Sequence, residues 1–112
     1  MAKGKFLGEF ELLVLGALMR LGDQAYGVAI ISEIEDRTGR KVSVGALYAT
    51  LNRMEKKQYV QSRLGETSAV RGGRAKRYFA VTREGQLQVE RSSAVLHRMM
   101  DGLPSWTKGA IA

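Results

Sequence analysis

The sequence lacks the residues on which disulfide-bonded, membrane-spanning and thiol-dependent proteins rely. It has no cysteine and one proline among 112 residues. Disulfides, thiolate metal sites and cysteine nucleophiles are therefore excluded, as fits a cytoplasmic protein. No apolar run approaches the ~20 residues that cross a bilayer. Residues 6–21, the nearest candidate for a signal peptide, are interrupted by Glu9 and Glu11 and precede no cleavage site, so we interpret them as mature protein.

Residues suited to catalysis are also scarce. His97 is the single histidine, and no nucleophile or second ligand stands beside it in the sequence. The pair Gly72-Gly73 lacks the G-x-x-x-x-G-K spacing of a phosphate-binding loop. We therefore predict a protein that is not an enzyme and that uses no metal and no cofactor.

Charge, in contrast, is plentiful and unbalanced. The formal net charge is +7, from 18 Lys plus Arg against 11 Asp plus Glu. Such a balance indicates a polyanionic partner, either nucleic acid or an anionic membrane surface. Four cations fall between Arg71 and Arg77 with no acid among them, whereas acids cluster at residues 33–36.

Apolar periodicity predicts two helices in the first 38 residues. The first ends at Leu21 and is apolar on two sides, so we expect one side to face the core and the other a partner protomer. The residues of that second stripe are Leu12, Leu15 and Met19. The second helix spans residues 26–38 and precedes Gly39, which is placed to cap it. Its expected inward residues are Val28, Ile31 and Ile34.

A third helix is predicted over residues 44–57, with Ser43 as its N-cap. Its inward stripe is Leu47, Leu51 and Met54. The opposite face has small residues toward the N-terminal end and an amide and cations further along. That face consists of Gly45, Ala49, Asn52, Arg53 and Lys56. A face of this kind can approach another surface closely and then hydrogen-bond to it.

A hairpin and a last helix complete the pattern. Residues 59–64 and 77–82 are predicted strands, joined through a polar segment that turns at Gly72-Gly73. Thr82 can cap a helix over residues 83–102, which Pro104 stops. A spacing of seven residues suggests a seam between helices. The seam residues are Val89, Leu96 and Leu103, with Met99 between them.

The order of these elements, with a short link between the second and third helices, predicts a winged helix-turn-helix fold. The fold class is mainly α with a small β-hairpin, followed by a C-terminal dimerisation helix. The major groove of B-DNA admits one α-helix, and cations on a hairpin tip can bind phosphates or enter a minor groove. The alternatives without DNA binding are that the third helix merely presents a solvated face and that the hairpin tip is a solvated, mobile loop. Tyr48 could reach a phosphate or simply pack on the wing.

Four motifs in this order resemble the PadR-like transcriptional regulators, over roughly residues 6–85. They are F-E-L-L-V-L-G-A-L from Phe10, A-Y-G-V-A-I from Ala25, V-S-V-G-A-L-Y-A-T-L-N-R-M-E from Val42, and R-G-G-R-A-K-R-Y-F-A-V-T-R-E-G from Arg71. The resemblance implies a homodimer whose third helix enters the major groove, whose wing touches the flanking backbone, and whose last helix dimerises with help from the first. Many relatives are repressors released by a small hydrophobic or phenolic compound or by a drug. A single helix after the wing places this chain with the short members.

We therefore expect a sequence-specific regulator, a repressor, that binds a pseudo-palindromic operator as a homodimer and that a small apolar or aromatic effector could release. Residues 1–82 would read DNA and residues 83–112 would dimerise. The expected DNA-binding residues are Ser43, Gly45, Tyr48, Ala49, Asn52, Arg53, Lys56, Arg71, Arg74, Lys76 and Arg77. The expected dimer residues are Leu12, Leu15, Met19, Val89, Leu96, Met99 and Leu103. Met99, Met100 and Trp106 could line an effector pocket, although Trp106 could equally be a loosely docked tail residue. The alternative function is a basic protein–protein or membrane-surface adaptor that does not read DNA.

Overall fold

Four helices and one β-hairpin make up the part of the chain that the computed structural model describes, residues 6–65 and 75–104. In chain order the elements are α1 (Glu9–Leu21), a short 3-10 turn (Gly22–Gln24), α2 (Gly27–Thr38), α3 (Val44–Lys56), β1 (Val60–Leu64), β2 (Arg77–Val81) and α4 (Arg83–Met100). The predicted fold class, mainly helical with a small hairpin, is confirmed. No helix among these residues is long and apolar enough to cross a membrane.

Helix α1 lies at the centre of the fold, in contact with α2, α3, β2 and α4. Its position corrects one prediction: Leu15, expected to face a partner protomer, has no exposed surface and belongs to the chain's own core. The physical reason is that the helix is packed from several directions, so the flank next to Leu18 is already covered. Of the predicted second stripe, Leu12 remains half-buried and Met19 remains exposed.

Helix α2 corrects a second prediction. Val28, expected to point inward, has 72% of its surface exposed, whereas Ile30 and Ile34 are buried. The helix starts at Gly27, and its buried line runs through Gly27, Ile30 and Ile34 at spacings of three and four residues. Val28 therefore lies in the first turn, on the outer side. At the other end Gly39 adopts a left-handed conformation with φ 75°, which confirms its predicted role as the C-terminal cap.

The inward stripe of α3 is confirmed, because Leu47, Leu51 and Met54 are completely buried. The two predicted N-caps are confirmed as well. The Ser43 side chain accepts a hydrogen bond from the Ala46 backbone N–H, and the Thr82 side chain accepts one from Gly85. These caps satisfy backbone donors that a helix start otherwise leaves unpaired.

The hairpin is antiparallel, with Val60 opposite Val81 and Leu64 opposite Arg77. It is also joined to the start of α2. The Phe79 backbone N–H donates to the Ala25 carbonyl oxygen at 2.8 Å, and Tyr26 forms an isolated bridge with Tyr78. The wing is thus hydrogen-bonded to the helical part of the fold through the middle of β2.

Helix α4 extends past the core of its own chain. The line Gly85, Gln88 and Ser92 is buried, and the same line continues at spacings of three and four residues to Leu96 and Met99. Both of those apolar residues are exposed, Met99 by 73%. The helix ends at Met100, slightly before the predicted boundary, because Asp101 takes an extended conformation.

Candidate nucleic-acid interface

The face of α3 opposite its buried stripe consists of small and polar residues, as the sequence predicted. Its exposed members are Gly45, Ala49, Asn52, Arg53 and Lys56. A methyl group added at Gly45 would meet no atom within 4 Å. The N-terminal half of this face is therefore smooth, and nothing from the described part of the chain covers it at Gly45.

Hydrogen bonds fix the turn that leads into α3. The Glu35 carboxylate accepts from the Val42 backbone N–H at 2.9 Å, which ties α2 to the end of the turn. Arg40 pairs with Glu9 at 2.7 Å and lies over the Phe10 ring, 5.4 Å from its centroid. These contacts hold the start of α3 against both α2 and α1.

Arg53 differs from the rest of the predicted α3 set. Its guanidinium lies 3.7 Å from the Glu11 carboxylate of α1 and donates to the Thr50 hydroxyl at 3.4 Å. Half of the side chain is exposed, but its charge is directed toward an acid of the same chain. The helical pattern could not reveal this pair, since Glu11 is remote in sequence.

Tyr48 packs on the wing, one of the two alternatives that the sequence left open. Its ring meets Phe79 edge-on, with centroids 6.0 Å apart. The hydroxyl oxygen reaches the backbone at Gly27, where a Cβ atom would overlap it. The Tyr48–Phe79 contact and a hydrogen bond from the Ser62 hydroxyl to Glu55 at 2.9 Å fix the hairpin relative to α3.

The predicted wing cations fall into two groups. Arg71 and Arg74 lie outside the described residues, while Lys76 and Arg77 are exposed where β2 begins. The Lys76 ammonium stands 4.2 Å from the centroid of Tyr26, and the Arg77 guanidinium stands 6.0 Å from that of Phe79. Both cations therefore rest on aromatic rings at the base of the wing.

Sequence reasoning missed a third cation of this kind, Arg63. Its guanidinium lies 4.6 Å from the centroid of Tyr78, its partner on the neighbouring strand. A signal was present, because Gln61 and Arg63 alternate with the more buried Val60 and Ser62 along β1. The three ion pairs of the described residues use Arg37, Arg40 and Arg53, so Lys56, Arg63 and Lys76 have no carboxylate within 4 Å there.

The predicted dimer residues lie in two environments. Val89 packs partly against the core of its own chain, whereas Leu96, Met99 and Leu103 are exposed. A groove of about 360 Å³ runs between α4 and the N-terminal part of α1, with Leu12 and Leu96 in its wall. Of the predicted effector residues, Met99 and Met100 are exposed and Trp106 lies outside the described residues. Within residues 6–65 and 75–104, no cluster of three His, Cys, Asp or Glu could hold a metal ion.

Comparison with known proteins places this arrangement among transcriptional regulators. A family described as the transcriptional regulator PadR-like family matches residues 14–91. A PadR family transcription regulator from Clostridium difficile R20291 has 25% identity and a TM-score of 0.70, over 82% of this chain and 91% of that one. A second, from Eggerthella lenta DSM 2243, has 25% identity and a TM-score of 0.69, over 83% and 76%. A PadR-like regulator from Bacillus cereus ATCC 14579, at 22% identity and a TM-score of 0.61 over 84% and 93%, shares the fold. Among curated proteins, none matches the sequence significantly.

Proposed function

This chain belongs to the PadR-like family of transcriptional regulators, and we propose that it binds double-stranded DNA in the cytoplasm as a homodimer and represses transcription. The observation that carries the proposal is the uncovered face of α3 beside a basic wing. The major groove receives one α-helix, and Gly45 and Ala49 let the helix backbone approach the bases closely. Lys56 on that face and Lys76 and Arg77 at the start of β2 are exposed, and none of them has an acid within 4 Å among the described residues.

Within this interface, Asn52 is the side chain that we assign to base contact. An asparagine can pair bidentately with adenine, which is worth ~1–3 kcal/mol of discrimination. Ser43, Arg71, Arg74, Lys76 and Arg77 bind backbone phosphates, which gives affinity without sequence information. Tyr48 acts by holding the wing against α3.

The uncovered end of α4 supports the proposed dimer. Residues 1–82 then form the reading unit, and residues 83–112 form the dimerising unit. Because the buried line of α4 continues into exposed Leu96 and Met99, a second copy is the surface that would cover it. Leu12 of α1 lines the groove beside Leu96 and is proposed to join this interface, whereas Met19 borders the groove of Arg63 and Tyr78. A two-fold dimer requires a pseudo-palindromic operator with half-sites about 10–10.5 bp apart, or a multiple of that spacing.

A gel-shift experiment with genomic fragments and competitor DNA tests DNA reading. We expect the wild-type protein to retard a subset of fragments at competitor excess, and Asn52→Ala to change the preferred sequence among them. If the protein binds anionic lipid vesicles and retards no DNA fragment, the result would instead indicate the membrane-surface adaptor. Light scattering tests the dimer, and a stable monomer at micromolar concentration would refute it.

An apolar or aromatic effector, where one acts, is proposed to bind between protomers near Met99, Met100 and Trp106. A domain of this size needs its interior for its own side chains, whereas a drug-sized ligand requires ~300–1,000 Å³. Methionine adapts to varied ligand shapes, and the ligand relieves repression if it prefers the dimer arrangement that does not fit DNA. Trp106 is the single tryptophan, so its fluorescence reports the site. Release from DNA without any change in Trp106 emission would place the pocket elsewhere.

A further inference from the structure

A row of alternating cationic and aromatic side chains crosses the base of the wing, where the paired strands lead into the turn segment. Arg63 lies over the Tyr78 ring at 4.6 Å, and Tyr78 meets Tyr26 edge-on with centroids 5.6 Å apart. Lys76 lies over the other tyrosine, 4.2 Å from the centroid of Tyr26. We call these four residues the wing-base row.

The backbone explains why the four side chains line up. Arg63 and Tyr78 are direct partners in the hairpin, and Tyr26 bridges to Tyr78 from the other side. Side chains on neighbouring strands at such positions share a face of the sheet. Gly65 leaves room for the Tyr78 ring, because a Cβ atom there would lie 2.7 Å from its Cε1.

The two cations of the row are exposed and held in place by rings rather than by acids. No carboxylate of the described residues lies within 4 Å of either one, although Asp23 borders the same groove as Arg63. A guanidinium that lies over a ring keeps the N–H groups of its outer edge available. Both charges are therefore ordered and available to an external anion.

The row also has a fixed position relative to α3. The hairpin that supports it is tied to α3 by the Ser62–Glu55 hydrogen bond and by the packing of Tyr48 on Phe79. Its other support, Tyr26, is the residue from which α2 starts. When α3 lies in a groove, the row is therefore presented at a constant offset, as a repeating backbone of phosphates requires.

We propose that the wing-base row is a phosphate-binding element separate from the tip of the wing. Arg63 and Lys76 bind the DNA backbone beside the groove that receives α3, and Tyr78 and Tyr26 are positioning residues for these two cations. The inference rests on the proposed function and adds Arg63, Tyr26 and Tyr78 to the interface. Because the rings order the cations before DNA arrives, less side-chain entropy is lost on binding.

Salt-dependent binding of the full-length protein to a fluorescent duplex of about 30 bp, three helical turns, tests the inference. Random-sequence DNA is suitable because phosphate contacts are independent of sequence. Arg63→Gln and Lys76→Gln should each make the negative slope of log K against log salt shallower by about 0.9. If the loss vanishes at 1 M salt, each variant binds about fivefold more weakly at 0.15 M.

The matched control is Arg91→Gln. Arg91 is on α4 and lies over the Phe6 ring, so this variant removes an equal charge from another arginine that is held over a ring. Its slope should equal that of the wild type. Tyr78→Leu should weaken binding about two- to tenfold, the ordering cost of a released side chain, and Tyr78→Phe should restore it. Circular dichroism confirms that each variant is folded.

The outcomes distinguish failure of the proposed DNA binding from failure of the inference about the wing-base row. If the wild-type protein binds no duplex at all, the proposed function itself is wrong. If the wild type binds and Arg63→Gln keeps the wild-type slope, the wing-base row does not contact phosphate and the inference is refuted. A Tyr78→Phe variant as weak as Tyr78→Leu would refute the positioning role of the ring.

Discussion

The contact between Gly27 and Tyr48 offers a sharp test of how α2 and α3 are held together. Gly27 is buried at the start of α2, and a Cβ atom there would overlap the Tyr48 hydroxyl oxygen and lie 3.2 Å from Cζ. Because the Tyr48 ring also packs on Phe79, it has little freedom to move aside. We expect overpacking in Gly27→Ala to lower the free energy of unfolding by ~1–3 kcal/mol. Gained helix propensity offsets at most ~1 kcal/mol of that loss.

The same geometry predicts that the loss is reversible at the second site. Tyr48→Phe removes the overlapping oxygen and leaves Cζ at 3.2 Å as the nearest ring atom, a distance that a shift of a few tenths of an ångström relieves. The double variant should therefore be more stable than Gly27→Ala alone, with a coupling of about 1 kcal/mol. Urea unfolding of the four proteins measures this cycle. Strictly additive losses would show that the hydroxyl is not what excludes a side chain at residue 27.

Three further outcomes follow from single contacts. Gly85→Ala should lower the free energy of unfolding in urea by about 3 kcal/mol, because its Cβ would overlap the backbone carbonyl oxygen of Tyr59. Gly16→Ala is the control that should not destabilise the protein, because a Cβ there meets nothing within 4 Å. Ser43→Ala should cost ~0.5–2 kcal/mol, the value of an N-cap, and Ser43→Asn should recover most of it. Lys56→Gln should make the negative salt slope of DNA binding shallower by about 0.9. Arg53→Gln should change the slope by less, because Arg53 already faces Glu11 at 3.7 Å. Equal effects would contradict this pairing.

Elements with one buried side could be predicted from the sequence almost residue by residue. In α3 the alternation of Leu47, Leu51 and Met54 with small and polar residues leaves a single orientation, and the capping chemistry of Ser43 fixes where the helix starts. Hydrophobic periodicity identifies a helix face reliably when only one face is covered.

Helices with ambiguous or widespread apolar surface were predicted less well. The sequence shows that α1 is apolar on two sides, but it cannot say which neighbour covers each side, and Leu15 proved to lie in the core of its own chain. In α2, Val28 and Ile30 are both apolar near the helix start. In the structure Ile30 is buried in line with Gly27 and Ile34, and Val28 is left on the outer side.

The contacts that shape the candidate interface were hidden for a different reason. Arg53 meets Glu11 across 42 positions of sequence, and Tyr26 meets Tyr78 across 52, by subtraction of residue numbers. Such pairs depend on how the elements pack and leave no periodic signal. The sequence therefore predicts the cations between Arg71 and Arg77, whereas the structure adds Arg63 over the Tyr78 ring and shows that Arg53 of α3 is paired with an acid.

At Gly45, the stability of α3 and its proposed role in DNA binding favour different residues. It is the second residue of the helix, and a Cβ atom there would meet no atom within 4 Å. Gly45→Ala should therefore stabilise the protein, by at most ~1 kcal/mol from helix propensity. If α3 lies in a major groove, however, the added methyl would occupy the space through which the backbone approaches the bases. An overpacking cost of ~1–3 kcal/mol corresponds to DNA binding that is about five- to 150-fold weaker. Parallel measurement of urea unfolding and DNA affinity decides the matter, with Gly16→Ala on α1 as the control that keeps wild-type affinity. A Gly45→Ala protein that is more stable and binds DNA as well as the wild type would show that this part of α3 does not closely approach the bases.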